Sequence, residues 1–490
     1  MAKIWNLAVF TSLFITLNPS VSDGQTPIIR RGSSVRKPLN AAHERAKIKA
    51  EKAYHAGNNE KTIEITTNVL RANSRDDVAL YLRASARVEL GQARADVKIL
   101  RAGIADARES IRIQATRNLN YYLPYLYGMT ILSGIENKKS HAEIAVQIAT
   151  KVLSQTSASG EDRANLLYQR GMAYSFLQRF DQAARDYSSA IRANPKHLGA
   201  YIGAADAYAA AGNKTYALTS FGNAVKAYPS NPLVYNNRGM YLHRINRDSD
   251  AIADFTRALE VAPDYFMAYT NRGFVSMESG KADVAEVDFT KSLKINPNQP
   301  MVHSLRGTSR LIQGKLQDAT ADYSVAVQAN PRNPMALADL GFAHFFAKDF
   351  ARAIASFEQA MKIEPELRYL QPWRNWAMAG AGDSSAAIRN ANSSLQKKTS
   401  DRDWIDRLVL FVAGRTNESQ LLSFVDQKDK TVRTAQLCEA HFFIGKKRAT
   451  EGNSQAANQH FQQALATNAH HLSAYRGAQF ALNRFASNKQ

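Results

Sequence analysis

The sequence predicts an all-α fold, a right-handed solenoid of stacked antiparallel helix pairs, and three observations carry that expectation. Pro195, Pro229, Pro263, Pro297, Pro331 and Pro365 recur at a fixed interval of 34 residues. Small residues recur behind them. With proline as position 32 of a unit, position 8 reads Gly171, Ala205, Gly239, Gly273, Gly307 and Gly341, and position 20 is always alanine, from Ala183 to Ala353. Position 24 is always aromatic: Tyr187, Phe221, Phe255, Phe289, Tyr323 and Phe357. Repetition at such a period marks a stack of supersecondary units rather than one enclosed core.

Each recurring position has a packing reason. Small side chains at positions 8, 20 and 27 let two antiparallel helices approach closely, and the aromatic fills the gap towards the next unit. Proline ends the second helix because it lacks an N–H donor and clashes with the preceding turn. Gly212, Gly280 and Gly314 at position 15 mark the turn inside a unit. One pair cannot bury its own apolar face, whereas stacked neighbours can. Over residues 164–365 these six units resemble the tetratricopeptide repeat in period, small residues, aromatic and proline. His303 departs from the tyrosine found at position 4 in Tyr201, Tyr235 and Tyr269.

The array extends in degenerate form over 41–163 and 366–490. Upstream, Ala50 with Gly57 and Ala84 with Gly91 repeat the spacing; the register is lost near Tyr121 to Pro124, and Gly128 is expected to begin another helix pair. Downstream, Gly382 and Ala387 belong to a seventh unit lacking the aromatic, and Gly445, Gly452, Ala457, Phe461 and Ala464 to a last one. A closing helix is expected from His471 to Phe485. Residues 438–478 are similar to the C-terminal repeat of NlpI-like lipoproteins of the bacterial envelope. That resemblance implies an adaptor for envelope enzymes, although no cysteine stands near the N-terminus to carry a lipid.

The N-terminal residues stand apart. Lys3 precedes an apolar run from Ile4 to Leu17, ended by Pro19 and a small-residue stretch, Ser20-Val21-Ser22. The run is short for a spanning helix, which needs roughly 20 apolar residues, and reads as a signal peptide over 1–22 followed by a flexible lead-in over 23–40. Export to the periplasm or beyond is expected, with an uncleaved N-terminal anchor as the alternative. Cys438 is the sole cysteine of 490 residues, so no intramolecular disulfide forms, and it reads as a small buried hydrophobe.

Hydrophobic residues make up 45% and charged residues 22%, with a net charge of +20. The basic excess is spread along the chain and nowhere alternates with aromatics, so specific nucleic-acid binding is not expected. Weak attraction to an anionic envelope surface is. No further segment is apolar enough to cross a membrane.

Charge recurs with the repeat. Position 7 is Arg170, Arg238, Arg272 and Arg306, and position 23 of the same four units is Asp186, Asp254, Asp288 and Asp322. Ala204 with Ser220 and Leu340 with Ser356 replace both partners together, so pairing is expected within each unit, as structural ion pairs held by the planar guanidinium.

No catalytic or metal constellation emerges, and no cofactor is expected. Gly380 and Gly382 coincide with the repeat's own turn. His470-His471 lack partners, and Asp401, Asp403 and Asp406, interleaved with Arg402 and Arg407, read as a solvated helix face.

First helices of such a solenoid line its concave side, where positions 2, 5, 9 and 12 share a face. Met172 and Met240, then Met267, Met301 and Met335, then Met277 fall on that strip, joined by Phe274, Phe342 and Phe345, with Asn236, His243, Thr270, Ser304 and Thr308 interspersed. Methionine suits surfaces that accept varied apolar partners, and the strip is expected to hold proteins or peptides. The alternative is that curvature or the chain's own termini cover it. A self-assembling solenoid and a regulatory subunit of a separately encoded envelope enzyme are the competing functions.

Overall fold

The computed structural model describes residues 41–114, 118–396, 398–470 and 472–487. The expected signal peptide and lead-in lie outside them, as does His471. The described residues hold 25 α-helices and three short 3-10 turns, and no strand.

Two compact units divide the chain, residues 1–238 and 239–490. In the first, hairpin pairs follow one another: α1 (Ala41–His55) with α2 (Asn59–Ala72), α3 (Asp77–Ala93) with α4 (Val97–Gln114), α5 (Tyr122–Ile135) with α6 (Lys139–Gln155), α7 (Gly160–Phe176) with α8 (Phe180–Ala193), and α9 (Leu198–Ala210) with α10 (Lys214–Ala227). The division falls inside α11 (Pro232–Arg244).

The second unit continues with α12 (Asp248–Val261), then α13 (Phe266–Glu278) with α14 (Ala282–Ile295), α15 (Pro300–Ile312) with α16 (Leu316–Ala329), and α17 (Pro334–Phe346) with α18 (Phe350–Ile363). The degenerate part holds α19 (Gln371–Gly380) with α20 (Ser384–Gln396), the short α21 (Trp404–Val412) and α22 (Glu418–Ser423), then α23 (Lys430–Thr450) with α24 (Ser454–Ala466), and α25 (Ser473–Ser487). Within each unit, successive helices pack on one another.

The repeat positions do what their sizes require. A Cβ on Gly273 would lie 2.9 Å from the Phe289 ring, and one on Gly341 would lie 2.6 Å from Phe357. Those rings are fully buried, so the missing side chain of position 8 makes room for the aromatic of position 24. The seventh unit inverts the exchange: Ala391 replaces the aromatic and Asn375 fills the glycine position, both buried. At position 15 the backbone is left-handed in all six regular units and the seventh, and glycine holds it at Gly212, Gly280, Gly314 and Gly382. Gln178, Asn246 and Lys348 adopt φ of 61°, 62° and 62° there.

Three expectations are corrected. The third upstream pair begins at Tyr122, not Gly128, because Pro124 sits in the first turn of α5, where its missing N–H costs no intrahelical bond. The closing helix runs from Ser473 to Ser487. Asp401 and Asp403 are exposed as expected, but Asp406 is not part of a solvated face. Asp403 and Asp406 form a capping box at the start of α21, each accepting the other's backbone N–H, and Arg368 pairs with both. Asp406 is thereby buried at 2% exposure.

Candidate interaction surface

The arginine–aspartate pairs form within units. Arg170 donates from Nε and Nη2 to Asp186 at 2.7 Å each, Arg272 to Asp288 at 2.8 Å each, and Arg306 to Asp322 at 2.9 and 2.7 Å. Arg238 and Asp254 fall on either side of the division. Each guanidinium also reaches back to a threonine of the preceding pair: Arg170 Nη1 to Thr150 at 3.1 Å, Arg272 Nη1 to Thr256 at 3.0 Å, and Arg306 Nη1 to Thr290 at 3.4 Å. One side chain therefore ties three helices, with Asp288 only 3% exposed along its side chain. These bidentate bonds hold the Arg170 and Arg272 guanidinium pKa above the ordinary value.

Asp322 collects more charge. His303 Nδ1 lies 3.1 Å from it and Arg310 Nη1 donates at 2.8 Å, so the odd histidine of position 4 belongs to this cluster. Burial alone would raise the Asp322 carboxyl, but the bonds from Arg306 and His303 and the charge of Arg310 outweigh it and hold it below the usual range. Arg310 also joins Lys315 on Glu286, whose carboxyl, pushed up by burial, is drawn down by these partners to about 2.

A further fork lies upstream. Arg83 donates to Asp106 through Nε and Nη2 at 2.8 Å each and to Thr67 through Nη1 at 3.4 Å, with Arg87 on the same carboxylate. Arg83 occupies position 7, immediately before Ala84 of position 8. Its aspartate, however, comes two helical turns later than the repeat dictates, on the long α4. Where Ala204 and Ser220 replace the pair, a cavity of about 530 Å³ opens instead, lined by Ser188, Tyr201, Ser220, Asn223 and Lys226.

The predicted concave residues divide sharply. In the second unit Met240, His243, Met267, Phe274, Met277, Ser304 and Met335 are half-buried, and Met301 is 63% exposed. His243 meets Phe274 edge-on at 5.7 Å and bonds Asp248 at 2.7 Å. Other members are interior, contrary to a continuous surface strip: Met172 and Asn236 in the first unit, Thr270 bonded to Ser292, Thr308 bonded to Tyr323, and Phe342 and Phe345. Phe345 is 2% exposed, because Trp373 packs against both phenylalanines at 4.8 and 5.3 Å.

That burial is part of a larger aromatic wall. Trp373 stacks on Phe442 at 4.7 Å and meets Phe443 at 5.3 Å. Helix α25 closes the wall: Phe480 lies 4.6 Å from Phe346, Arg476 3.7 Å from Asp339, and Asn483 Nδ2 donates to the Ile312 carbonyl at 2.8 Å. Only the aromatic character of these first helices was visible in the sequence, not their meeting with α25.

The remaining candidate chemistry resolves into packing. Cys438 is buried and its thiol is pushed up to about 12 by desolvation. Gly380 packs beneath Phe350, and Gly382 forms the turn. His470 rests against Tyr475 at 4.4 Å. Among the described residues no three His, Cys, Asp or Glu side chains converge as a metal site, and no helix is long and apolar enough to cross a membrane.

The sequence profile of the tetratricopeptide repeat family matches residues 168–232, 204–265 and 304–366. No curated protein matches the chain. Among solved structures, PilF of Pseudomonas aeruginosa is 22% identical over 42% of this chain and 93% of its own, with a TM-score of 0.37. PilW, a type IV pilus biogenesis factor, is 25% identical over 42% and 92%, with a TM-score of 0.34. YrrB, described as having an unusual peptide-binding site, is 18% identical over 37% and 94%, with a TM-score of 0.33.

Proposed function

Because residues 168–265 and 304–366 are tetratricopeptide repeats, we propose that this chain is an exported, non-enzymatic adaptor that holds an amphipathic helix of an envelope protein on its first-helix row. The repeat itself implies protein partners. The envelope setting draws on the N-terminal apolar run and on the likeness of residues 438–478 to NlpI-like lipoproteins.

The observation that carries the reading is the exposure of Met301, flanked by half-buried Met267 and Met335 at the same position of the neighbouring units. Thioether side chains are flexible and polarizable and adapt to varied apolar partners, and a helix reads such a row through anchors spaced by three and four residues. Self-assembly is less favoured, because α25 spends Tyr475, Ala478 and Phe480 inside its own unit rather than on an open end.

The test is site-specific photocrosslinking in the native envelope. A probe at Met301 or Met267 is expected to capture a protein that a probe at Val287, also exposed, does not, and Met267→Glu with Met301→Glu is expected to abolish binding of that protein. Equal capture at all three positions would overturn the reading.

A further inference from the structure

We infer that α25 is an internal ligand of the first-helix groove, and that the partner it stands in for is a helix carrying a basic residue, an aromatic four residues later and an amide three residues after that. The inference rests on the reading of the first-helix row as a binding groove and specifies its occupant.

The geometry supplies the pattern. Arg476, Phe480 and Asn483 stand at i, i+4 and i+7, one face of a helix, and each meets a different inner helix or residue of the wall. Arg476 faces Asp339 of α17, Phe480 faces Phe346 at the end of the same helix, and Asn483 donates to Ile312, the last residue of α15. The last contact satisfies a carbonyl at a helix C-terminus that has no intrahelical donor. Gly477 completes the fit. A Cβ there would lie 2.7 Å from the Phe442 ring and 3.1 Å from Phe346, so its absence lets the backbone of α25 sit against the aromatic wall.

The same contacts argue that α25 is held less firmly than the α15–α16 pair it touches. Those two helices are joined by the two-point Arg306–Asp322 ion pair at 2.9 and 2.7 Å. Arg476 approaches Asp339 only to 3.7 Å, beyond hydrogen-bonding distance, and burial pushes the Asp339 carboxyl upward despite the arginine charge. A groove with a carboxylate in its wall favours a basic ligand over an acidic one, and α25 presents one arginine to it. A tethered helix competes at high effective concentration, so an outside helix binds in proportion to the fraction of molecules in which α25 has left.

The experiment uses the full chain and a fluorescent peptide of residues 473–487 as the probe. Arg476→Ala with Asn483→Ala loosens α25 without touching the aromatic core, and Gly477→Leu pushes it from the wall by steric conflict. Both variants are expected to bind the peptide at least tenfold more tightly than the unaltered chain, and a peptide lacking the Phe480 ring is expected to lose binding. Hydrogen exchange is expected to show α25 amides opening before those of α23 and α24. Unchanged peptide binding by folded variants, or exchange of α25 in step with α23 and α24, would overturn the inference even where crosslinking at Met301 succeeds. Tightened peptide binding supports it even where no envelope protein is captured.

Discussion

Residues 266–329 and residues 334–480 belong to one compact unit, and both contain glycine–aromatic exchanges, yet their first helices face different surroundings. In the earlier stretch the inner positions carry methionine and half-exposed side chains, and the charged cross-links of Arg272, Arg306 and Arg310 do the joining. In the later stretch the first helices carry Phe342, Phe345, Trp373, Phe442 and Phe443, which are buried in a shared aromatic wall. The difference teaches that a solenoid's first-helix face is core or surface according to how far it can reach another part of the chain. Ring-bearing residues with a partner helix within reach become interior. Thioethers without one remain accessible.

The largest expected effect tests the wall. Trp373→Ala removes the ring against which Phe342, Phe345, Phe442 and Phe443 pack, and is expected to cost about 3–5 kcal/mol, read as a lower urea midpoint. If Trp373→Ala leaves the midpoint within experimental scatter, the later stretch is not the closed core that the comparison requires.

Next comes the cross-link. Arg272→Ala leaves Asp288 buried without its partner and is expected to cost about 2–4 kcal/mol. Adding Asp288→Ser copies the natural Ala204–Ser220 combination and is expected to recover about half of that loss, since removing both charges leaves none stranded. A double variant as unstable as the single one would show that the fork matters for its shape and not its charge.

The pH dependence separates the stretches further. Glu439 receives a bond from Trp404 Nε1 at 2.7 Å, but burial raises its carboxyl to about 7. Its folded-state pKa lies above the unfolded value, so the folded protein holds the proton longer. That contribution is fully present below about pH 4.5 and is lost as pH rises towards about 7. Glu439→Gln is expected to remove this slope and to raise stability at pH 8 by an amount on the order of 2 kcal/mol. Glu286 in the earlier stretch runs the other way. Held at about 2, it contributes stability above the ordinary carboxylate range that is lost as pH falls towards that value. Denaturant titrations at pH 3, 5 and 8 resolve both slopes.

The smallest effect concerns a turn. Lys348 holds φ of 62° at the position occupied by Gly212, Gly280, Gly314 and Gly382 in other units. Lys348→Gly is expected to raise stability by about 0.5–1 kcal/mol by relieving left-handed strain. A loss instead would mean that Lys348 contributes a contact worth more than the strain.

How much was legible in the sequence follows from how local the cause was. Pro195 to Pro365, Gly273 with Phe289 and Gly341 with Phe357 lie within one repeat of each other, so spacing alone exposes them. The Arg272–Asp288 pair was legible because its members vary together. Arg83 was readable from its place before Ala84, but α3 is a turn longer and the aspartate sits a turn further along α4, so the fixed offset missed it. Asp406 misled because alternating charges look solvated when the arginine that covers it, Arg368, lies in a separate 3-10 turn.

By itself the sequence determined the period, the helix pairs, the close packing inside each pair and the ion pairs that join first helix to second. All of these depend on side-chain size and charge at separations shorter than about one repeat. Only the tertiary structure decided which first-helix residues stay accessible. That choice turns on contacts such as Asn483 with Ile312, 171 residues apart, which no single repeat encodes. Met301 and Phe345 carry comparable apolar signals in the sequence. One is open and the other is core because α19, with Trp373, reaches only the second.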